Sequence, residues 1–405
     1  MISRRVAILG LLFQGLNLGS LLILMPLVAR NTTPNDFGEI SLVFAIYLAS
    51  TCFRSIGSAV PPLFKVHLYA CNIRYILRRL NFISVALTAL LSTSYIVWST
   101  PTLLLGISCV ALSLGLALIF ILEGISIYVD RPYMGNAMLA AVNIASTLFL
   151  SIAESPTYVD ALFSLALATG VVTPPFYTAL RGSFNVAVPG RMFLKRLRVV
   201  MGDKIEFAAL TAIQTQADKI VLAAFAPPTV VGVYFLLSLL PSRITSLYFA
   251  VAQALYKRIY IDDDDVTVIY YRATFLIFFA FTAALLVFGS YYLAYLGLSE
   301  TYMGLPLALV CLSTLPLMCG FIVYPYLARV NLVRLLGRVN LLAVVLLLLL
   351  LLLWFQAFST MTLNVFLGIL LVSRFSELIA AYVAERKTGI PLFRSFLIWP
   401  LQKNQ

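Results

Sequence analysis

The chain has 405 residues, of which 62% are hydrophobic and 11% are charged, and its mean hydropathy is +1.00. Soluble globular proteins carry roughly 25% charged residues and about 45 to 50% apolar ones. A water-facing fold of this size cannot cover so much apolar surface, which excludes soluble enzymes, nucleic-acid binders, secreted disulfide scaffolds and coiled coils. The composition is that of a membrane protein.

The apolar stretches are long and continuous, which predicts helices, because a helix needs about 20 apolar residues to cross roughly 30 Å of hydrocarbon. The first stretch follows Arg4 and Arg5 like a secretory signal, but it is too long and lacks a small-residue cleavage site, so we take it as a span. The twelve predicted spans are 6–29, 37–61, 81–98, 103–127, 134–152, 158–180, 205–226, 230–255, 273–297, 303–327, 339–356 and 361–383.

The net charge of +12 comes from basic residues that alternate between loops. Outside the predicted spans, every lysine and arginine except Arg30 lies in a loop on one side of the membrane. Since cytoplasmic loops collect Lys and Arg, this pattern places both termini in the cytoplasm of a multi-pass protein, which we expect in a bacterial inner membrane. The positive charge is explained by orientation, so no nucleic-acid partner is needed to account for it.

The most basic loop divides the spans six and six. The sequence predicts an N-terminal six-helix bundle (1–180), a basic cytoplasmic linker (181–204), a C-terminal six-helix bundle (205–383) and a cytoplasmic tail (384–405). With six spans each, both halves enter from the same face, so the halves would be parallel repeats.

Two hairpins carry a weak internal repeat. In each, one span leads into a proline, and an aromatic or apolar residue followed by glycine starts the next span. The matching residues are Pro34, Phe37 and Gly38 in the first half and Pro228, Val231 and Gly232 in the second.

The same hairpins resemble a known family. ADKIVLAAFAPPTVVGVYFL (217–236) and LVARNTTPNDFGEISLVFAI (27–46) are similar to the Wzx-type O-antigen flippases of the multidrug/oligosaccharidyl-lipid/polysaccharide (MOP) superfamily, which also contains lipid II flippases and MATE drug exporters. The resemblance implies an all-α protein with twelve transmembrane helices in two six-helix bundles. It also implies translocation of an undecaprenyl-diphosphate-linked oligosaccharide, the O-antigen repeat unit, across the inner membrane by alternating access.

Arginines within spans are the first candidate site residues, because a charge at bilayer depth costs at least about 2.5 to 3.5 kcal/mol and normally faces a bundle interior or a wet cavity. Arg243 lies near the centre of span 8, beside Pro241, and its guanidinium could hold a diphosphate. Arg54, in the cytoplasmic half of span 2, could receive a phosphate from the cytoplasm. A buried ion pair is the alternative for Arg243, and extension to the membrane surface is the alternative for both arginines.

Asp218 and Gln214 share one face of span 7, which predicts a polar stripe along a cavity. Asp218 could pair with Arg243 on the next helix or titrate as a coupling carboxylate, and a structural ion pair is equally compatible with its position. Lys219 faces elsewhere, and we expect it to extend to the outer surface.

Two further candidates lie on spans 5 and 12. Asn143, seven residues after Asn136, could contact sugar hydroxyls or bond a neighbouring helix. Arg374 could face the substrate, but its i, i+3 spacing to Glu377 favours a local salt bridge.

Aromatic residues at the outer ends of spans are typical of an interfacial belt. On this ground the sequence assigns a belt position to Tyr291, Tyr292 and Tyr295 at the end of span 9.

Two alternative functions remain open at this point. A multidrug or cation exporter of the same superfamily would prefer a cavity rich in carboxylates, whereas the central spans here hold more Arg than Asp or Glu. A membrane O-antigen polymerase or glycosyltransferase would be expected to carry a large periplasmic loop, which the predicted topology lacks. The expected partners are the lipid-linked oligosaccharide and membrane lipids, with an O-antigen polymerase and a chain-length regulator implied by the resemblance. No metal or other cofactor is expected, and H⁺ or Na⁺ could drive the cycle.

Overall fold

The computed structural model describes residues 4–52, 103–128, 133–180, 218–261, 264–329, 333–358 and 361–388. The chain divides into two compact units, Met1–Ile220 and Val221–Gln405. All the regular secondary structure within the described ranges is helical. The predicted all-α fold class is therefore confirmed.

Twelve helices are present in the described part of the chain. The first six are α1 (Arg4–Arg30), α2 (Pro34–Cys52), α3 (Leu103–Tyr128), α4 (Tyr133–Ile152), α5 (Tyr158–Leu180) and α6 (218–225). The other six are α7 (Pro228–Ile261), α8 (Asp264–Val287), α9 (Gly289–Leu296), α10 (Leu305–Arg329), α11 (Val333–Phe358) and α12 (Leu363–Thr388).

These helices overlap the predicted spans with two differences. Predicted span 9 is broken into α8 and α9, whose axes differ by 70°. Only the outer end of span 7 is described, as α6, and span 3 (81–98) lies outside the described residues. Five of the described helices are long and apolar enough to cross a membrane, or six if the bent pair forms one span.

Two helices of the first unit begin at the same local signal. At the start of α2, the Thr33 hydroxyl accepts a hydrogen bond from the backbone N–H of Asp36 (3.2 Å). Before α5, the Asp160 carboxylate accepts bonds from the N–H and the hydroxyl of Thr157, both at 2.8 Å. Each Thr-x-x-Asp sequence thus satisfies donors that a helix N-terminus otherwise leaves unpaired.

In the first unit, α1 packs along α4. Phe13 stacks on Tyr133 with ring centroids 6.2 Å apart, and further along both helices the Asn31 side chain donates to the Ser151 carbonyl (2.7 Å). Because both contacts advance in the same chain direction, the two helices run parallel. This is the arrangement expected for spans 1 and 5 of an alternating topology.

A close helix approach at a glycine joins α3 to α5 in this unit. A Cβ atom added to Gly115 would lie 2.6 Å from the Cβ of Thr169, a fully buried residue of α5. Lipid tails are as apolar as most side chains, so helices in a membrane associate mainly through close packing. Small residues favour this packing because they let helix backbones approach closely. Gly115 is therefore required by packing, whereas Gly106 on the same helix faces open space.

In the second unit, α10 is central and contacts α7, α8 and α12, while α11 packs on α12. Aromatic pairs join its helices: in the interior, Tyr234 of α7 meets Phe366 of α12 edge to face, with centroids 5.3 Å apart. Nearer the surface, Phe225 of α6 meets the exposed Phe355 of α11 in the same way at 5.9 Å. Such pairs favour offset or edge-to-face geometry because of the ring quadrupole.

The residues that carry the predicted repeat occupy matching environments in the two units. Pro34 and Pro228 are the first residues of α2 and α7, where a missing N–H is harmless, and both are exposed. Three residues later, Phe37 and Val231 are buried, and each is followed by a buried glycine. The two hairpins therefore begin their second helix in the same way.

We predict that Gly115→Ala destabilises the protein by about 1 to 3 kcal/mol, because the added methyl group must displace Thr169. Gly106→Ala is the matched control on the same helix, and it should be neutral or slightly stabilising since alanine favours helix. Thermal unfolding of the purified variants in one detergent measures the difference. Equal midpoints for the two variants would show that α3 and α5 are not in close contact at Gly115.

Candidate functional site

Arg243 lies within α7, two residues after Pro241. Its side chain is half-buried, and its Nε is fully buried without a hydrogen-bond partner in the structure. A guanidinium stays charged in proteins and presents five donors in a rigid fork. Arg243 thus brings a positive charge with an unused donor into the second unit.

The hydroxyl groups next to Arg243 are used by the helix itself. Thr245 donates to the carbonyl of Pro241 (2.9 Å), and Ser242 donates to the carbonyl of Leu239 (2.9 Å). Such bonds to carbonyls three or four residues earlier satisfy the hydroxyls within α7. Ser242 and Thr245 are therefore engaged with the backbone of α7.

Arg272 is a second arginine with a buried Nε that has no hydrogen-bond partner. The sequence places it in a cytoplasmic loop just before span 9, but α8 begins at Asp264, so Arg272 lies inside the helix and is half-buried. The loop assignment is wrong because residues 264–271, which mix polar and apolar side chains, extend the helix ahead of the apolar stretch. A prediction from the length of the apolar run alone therefore makes α8 too short, since the helix begins at Asp264 and the predicted span at residue 273.

Arg374 is buried and binds a serine on another helix. Its Nη1 donates to both the carbonyl and the hydroxyl of Ser313 on α10, each at 3.1 Å. The side chain of Glu377 lies outside the described part of the structure, so the local salt bridge stays a prediction. The contacts with Ser313 join α12 to α10, which is a structural role for Arg374.

Asp218 and Lys219 form an ion pair in the first unit. The Lys219 ammonium lies 3.7 Å from Asp218 Oδ1, and both side chains are almost completely buried. Asp218 Oδ1 also accepts the backbone N–H of Lys219 (3.0 Å). The expectation that Lys219 extends to the membrane surface is wrong, because its charge is satisfied locally. The pairing of Asp218 with Arg243 stays a prediction.

Asn143 bonds a neighbouring helix, as one of its two interpretations predicted. Its Nδ2 donates to Asn17 Oδ1 on α1 (2.5 Å), while its own Oδ1 is buried without a hydrogen-bond partner. The backbone carbonyl of Asn143 accepts from the Thr147 hydroxyl. The amide nitrogen therefore holds α1 to α4, and the amide oxygen remains available as an acceptor.

Two of the predicted site residues, Arg54 and Gln214, lie outside the described residues. Their proposed contacts with phosphate and sugar stay predictions. The structure thus describes four members of the predicted set, of which Arg374 and Asn143 hold pairs of helices together and Asp218 holds Lys219.

Tyr292 is a residue whose role sequence reasoning missed. Tyr291 is 76% exposed and Tyr295 is also exposed, as the predicted belt requires, but Tyr292 is only 9% exposed. Its hydroxyl contacts the backbone of α7 just before Pro241. The belt assignment is therefore wrong for Tyr292. The one signal in the sequence was Pro241 in span 8: a proline has no N–H, so one carbonyl of the helix needs a hydrogen-bond donor from another residue.

We predict that Arg374→Met lowers stability by about 1.5 to 3 kcal/mol, because two hydrogen bonds from a buried charge are lost while most of the volume is kept. Ser313→Ala should cost less, and combining the two changes should add little to Arg374→Met alone. Thermal unfolding measures all three. A role of Arg374 in ligand binding would instead give Arg374→Met normal stability and weakened binding of an anionic ligand.

The comparisons with known proteins support the fold. No protein-family model and no curated protein sequence matches the chain. Among solved structures, it is similar to an outward-facing multidrug resistance MATE family transporter of the MOP superfamily (14% identity, 95% and 94% of the two chains covered, TM-score 0.61).

Two further solved structures show the same likeness. One is a MOP superfamily transporter from Pyrococcus furiosus with a binding pocket of reverse polarity (11% identity, 96% and 95% covered, TM-score 0.60). The other is an inward-facing MATE family transporter (12% identity, 96% and 95% covered, TM-score 0.56). Over nearly its whole length, the chain has the fold of MOP superfamily transporters, two bundles of six helices.

Proposed function

We propose that the protein is a transporter that moves an anionic lipid-linked oligosaccharide, an undecaprenyl-diphosphate-linked O-antigen unit, from the cytoplasmic to the periplasmic leaflet by alternating access. The substrate comes from the sequence resemblance of the two hairpins, and the transport mode from the fold. In this proposal the binding site opens alternately to the two sides of the membrane, and the lipid tail stays in the bilayer.

The observation that carries the proposal is the state of Arg243. A charged side chain in a transmembrane helix is normally paired with another side chain or with backbone carbonyls. Arg374 follows this rule through Ser313, but the Nε of Arg243 is buried and makes no hydrogen bond. A diphosphate supplies both the negative charge and the acceptor oxygens that this guanidinium lacks, in a geometry that fits its donor fork.

The other residues of the predicted set have proposed roles. In this proposal the Oδ1 of Asn143, which is buried without a hydrogen-bond partner, accepts a hydrogen bond from a sugar hydroxyl once the site opens, and the bond from its Nδ2 to Asn17 is kept. Arg54 would meet the phosphate first on the cytoplasmic side, and Gln214 would extend the polar stripe toward the sugars. Asp218 is available as a proton or ion acceptor only if its pair with Lys219 opens, which makes it a coupling group rather than a direct ligand.

The fold supports alternating access because the chain is similar both to an outward-facing and to an inward-facing MATE family structure. A transporter that binds the same ligand in both states moves it between the two sides by shifting between them. Neither similar protein is an enzyme, so the polymerase and glycosyltransferase alternatives gain no support.

A multidrug exporter is the second candidate, favoured by the multidrug resistance MATE transporter to which the chain is similar. A cationic drug would need an unpaired carboxylate in the site. The buried carboxylate of Asp218 already lies 3.7 Å from the Lys219 ammonium, whereas the Nε of Arg243 has no acceptor. The charge balance of the described residues therefore favours an anionic substrate.

We predict that Arg243→Ala weakens binding of undecaprenyl diphosphate by about 10- to 150-fold, the loss expected for one charge-assisted contact worth about 1.5 to 3 kcal/mol. Arg243→Lys keeps the positive charge but loses the paired donors of the guanidinium, so its affinity should lie between those of the unchanged protein and Arg243→Ala. Titration of the purified protein in nanodiscs with undecaprenyl diphosphate measures the affinities.

The matched control is Arg338→Ala, which removes an arginine exposed near the start of α11 and should bind like the unchanged protein. Undiminished binding by Arg243→Ala would refute the assignment of Arg243. Tight binding of a cationic drug, but not of the diphosphate, by the unchanged protein would favour the multidrug exporter.

A further inference from the structure

The row of backbone hydrogen bonds in α7 is interrupted at Pro241, although the helix itself continues to Ile261. Proline has no N–H, so the carbonyl of Leu237, four residues earlier, loses its helical partner. One turn of the helix therefore contains an acceptor that must be satisfied in another way, because unsatisfied backbone groups cost several kcal/mol in a membrane.

The hydroxyl of Tyr292 lies in this gap. It donates to the carbonyl of Leu236 at 3.1 Å, and Leu237 O is 3.4 Å away. It also accepts the backbone N–H of Leu240 at 3.1 Å. In a regular helix the N–H of Leu240 would bond the carbonyl of Leu236 directly. One hydroxyl thus bonds both members of this helical pair and also approaches the carbonyl that Pro241 leaves without a donor.

A side chain inserted into the helical ladder is a recognised cause of a kink. Since Leu240 N–H and Leu236 O are natural partners, removal of the hydroxyl would let them bond each other and close this turn. Within α7, which is helical from Pro228 to Ile261, the Tyr292 hydroxyl therefore competes with the direct bond between these two groups.

The position of Tyr292 is itself fixed by the short helix α9. This helix follows the 70° break after α8, and Tyr292 is buried while its neighbour Tyr291 is exposed. At the far end, Gly297 takes a left-handed conformation (φ 72°), and Leu298 N–H bonds the carbonyl of Leu293 (2.9 Å), which terminates the helix. At the near end, a Cβ atom on Gly289 would lie 3.1 Å from Leu307 Cδ2.

We propose that Tyr292 is a positioning residue: its hydroxyl holds α7 open at Pro241 and so fixes the direction in which Arg243, two residues further on, presents its guanidinium. Tyr292 itself touches no substrate. That Arg243 receives a diphosphate rests on the proposed function, whereas the effect of Tyr292 on α7 does not.

The first experiment tests the effect on α7 alone, by thermal unfolding of a double-mutant cycle between Tyr292→Phe and Pro241→Ala. Tyr292→Phe by itself should lower the unfolding midpoint by a few degrees, because the carbonyl of Leu237, which Pro241 cannot serve, loses its donor. With Pro241→Ala the turn can close, and the Tyr292 hydroxyl becomes the group without a partner. Tyr292→Phe should then be neutral or stabilising, so the sign of its effect changes between the two backgrounds.

The second experiment measures binding of undecaprenyl diphosphate to the same full-length variants in nanodiscs. Tyr292→Phe should weaken binding at least several-fold in the unchanged protein. It should have no further effect in the Arg243→Ala background, because a positioning residue acts only through the group it positions. A merely structural role would lower the unfolding midpoint without this dependence on Arg243.

Tyr291→Phe is the matched control, since it removes an exposed hydroxyl from the adjacent residue and should change neither the unfolding midpoint nor binding. If Tyr292→Phe changes the unfolding midpoint equally in the unchanged protein and in the Pro241→Ala variant, the inference is overturned. Normal diphosphate binding by Tyr292→Phe, with Arg243→Ala impaired, would overturn the positioning of Arg243. If Arg243→Ala itself binds normally, the proposed function fails, and the unfolding cycle still decides whether Tyr292 holds α7 open.

Discussion

Within the bilayer there is no water to satisfy a polar group, so each polar side chain and each broken backbone bond must find its partner inside the chain. Most of the described polar groups obey this constraint visibly. Asn143 bonds Asn17, Arg374 bonds Ser313, and Asp218 pairs with Lys219. Several buried polar atoms of the described residues make no hydrogen bond, among them the Oδ1 of Asn143 and the Nε atoms of Arg272 and Arg243. Of these, Arg243 lies deep in a predicted span, and it gives the second unit its candidate ligand site.

The features that the sequence predicted correctly depend on neighbours close in the chain. Helix positions follow from the length of apolar runs, which is a property of consecutive residues. The repeat residues Phe37 and Val231 are both buried, because matching positions after a helix-starting proline face the interior. The all-α fold was predictable for the same reason.

The features that the sequence predicted wrongly include the environments of Tyr292 and Lys219. Tyr292 was assigned to an interfacial belt because its neighbours belong there, but its hydroxyl bonds Leu236, which lies 56 residues earlier. No spacing rule reports such a long-range partner, and the same holds for the bond from Arg374 to Ser313, 61 residues earlier. Lys219 was expected at the membrane surface, although the carboxylate beside it was sufficient to keep it buried.

The central claim is that the protein carries an anionic lipid-linked oligosaccharide across the membrane, and one measurement addresses it directly. In cells that lack the protein, the leaflet occupied by the lipid-linked glycan can be determined, with ligation to lipid A in the periplasm as the reporter. The account predicts that single, unligated units accumulate on the cytoplasmic leaflet and that re-expression of the chain restores ligation. Units that reach the periplasm without the protein, and remain there unpolymerised, would contradict it.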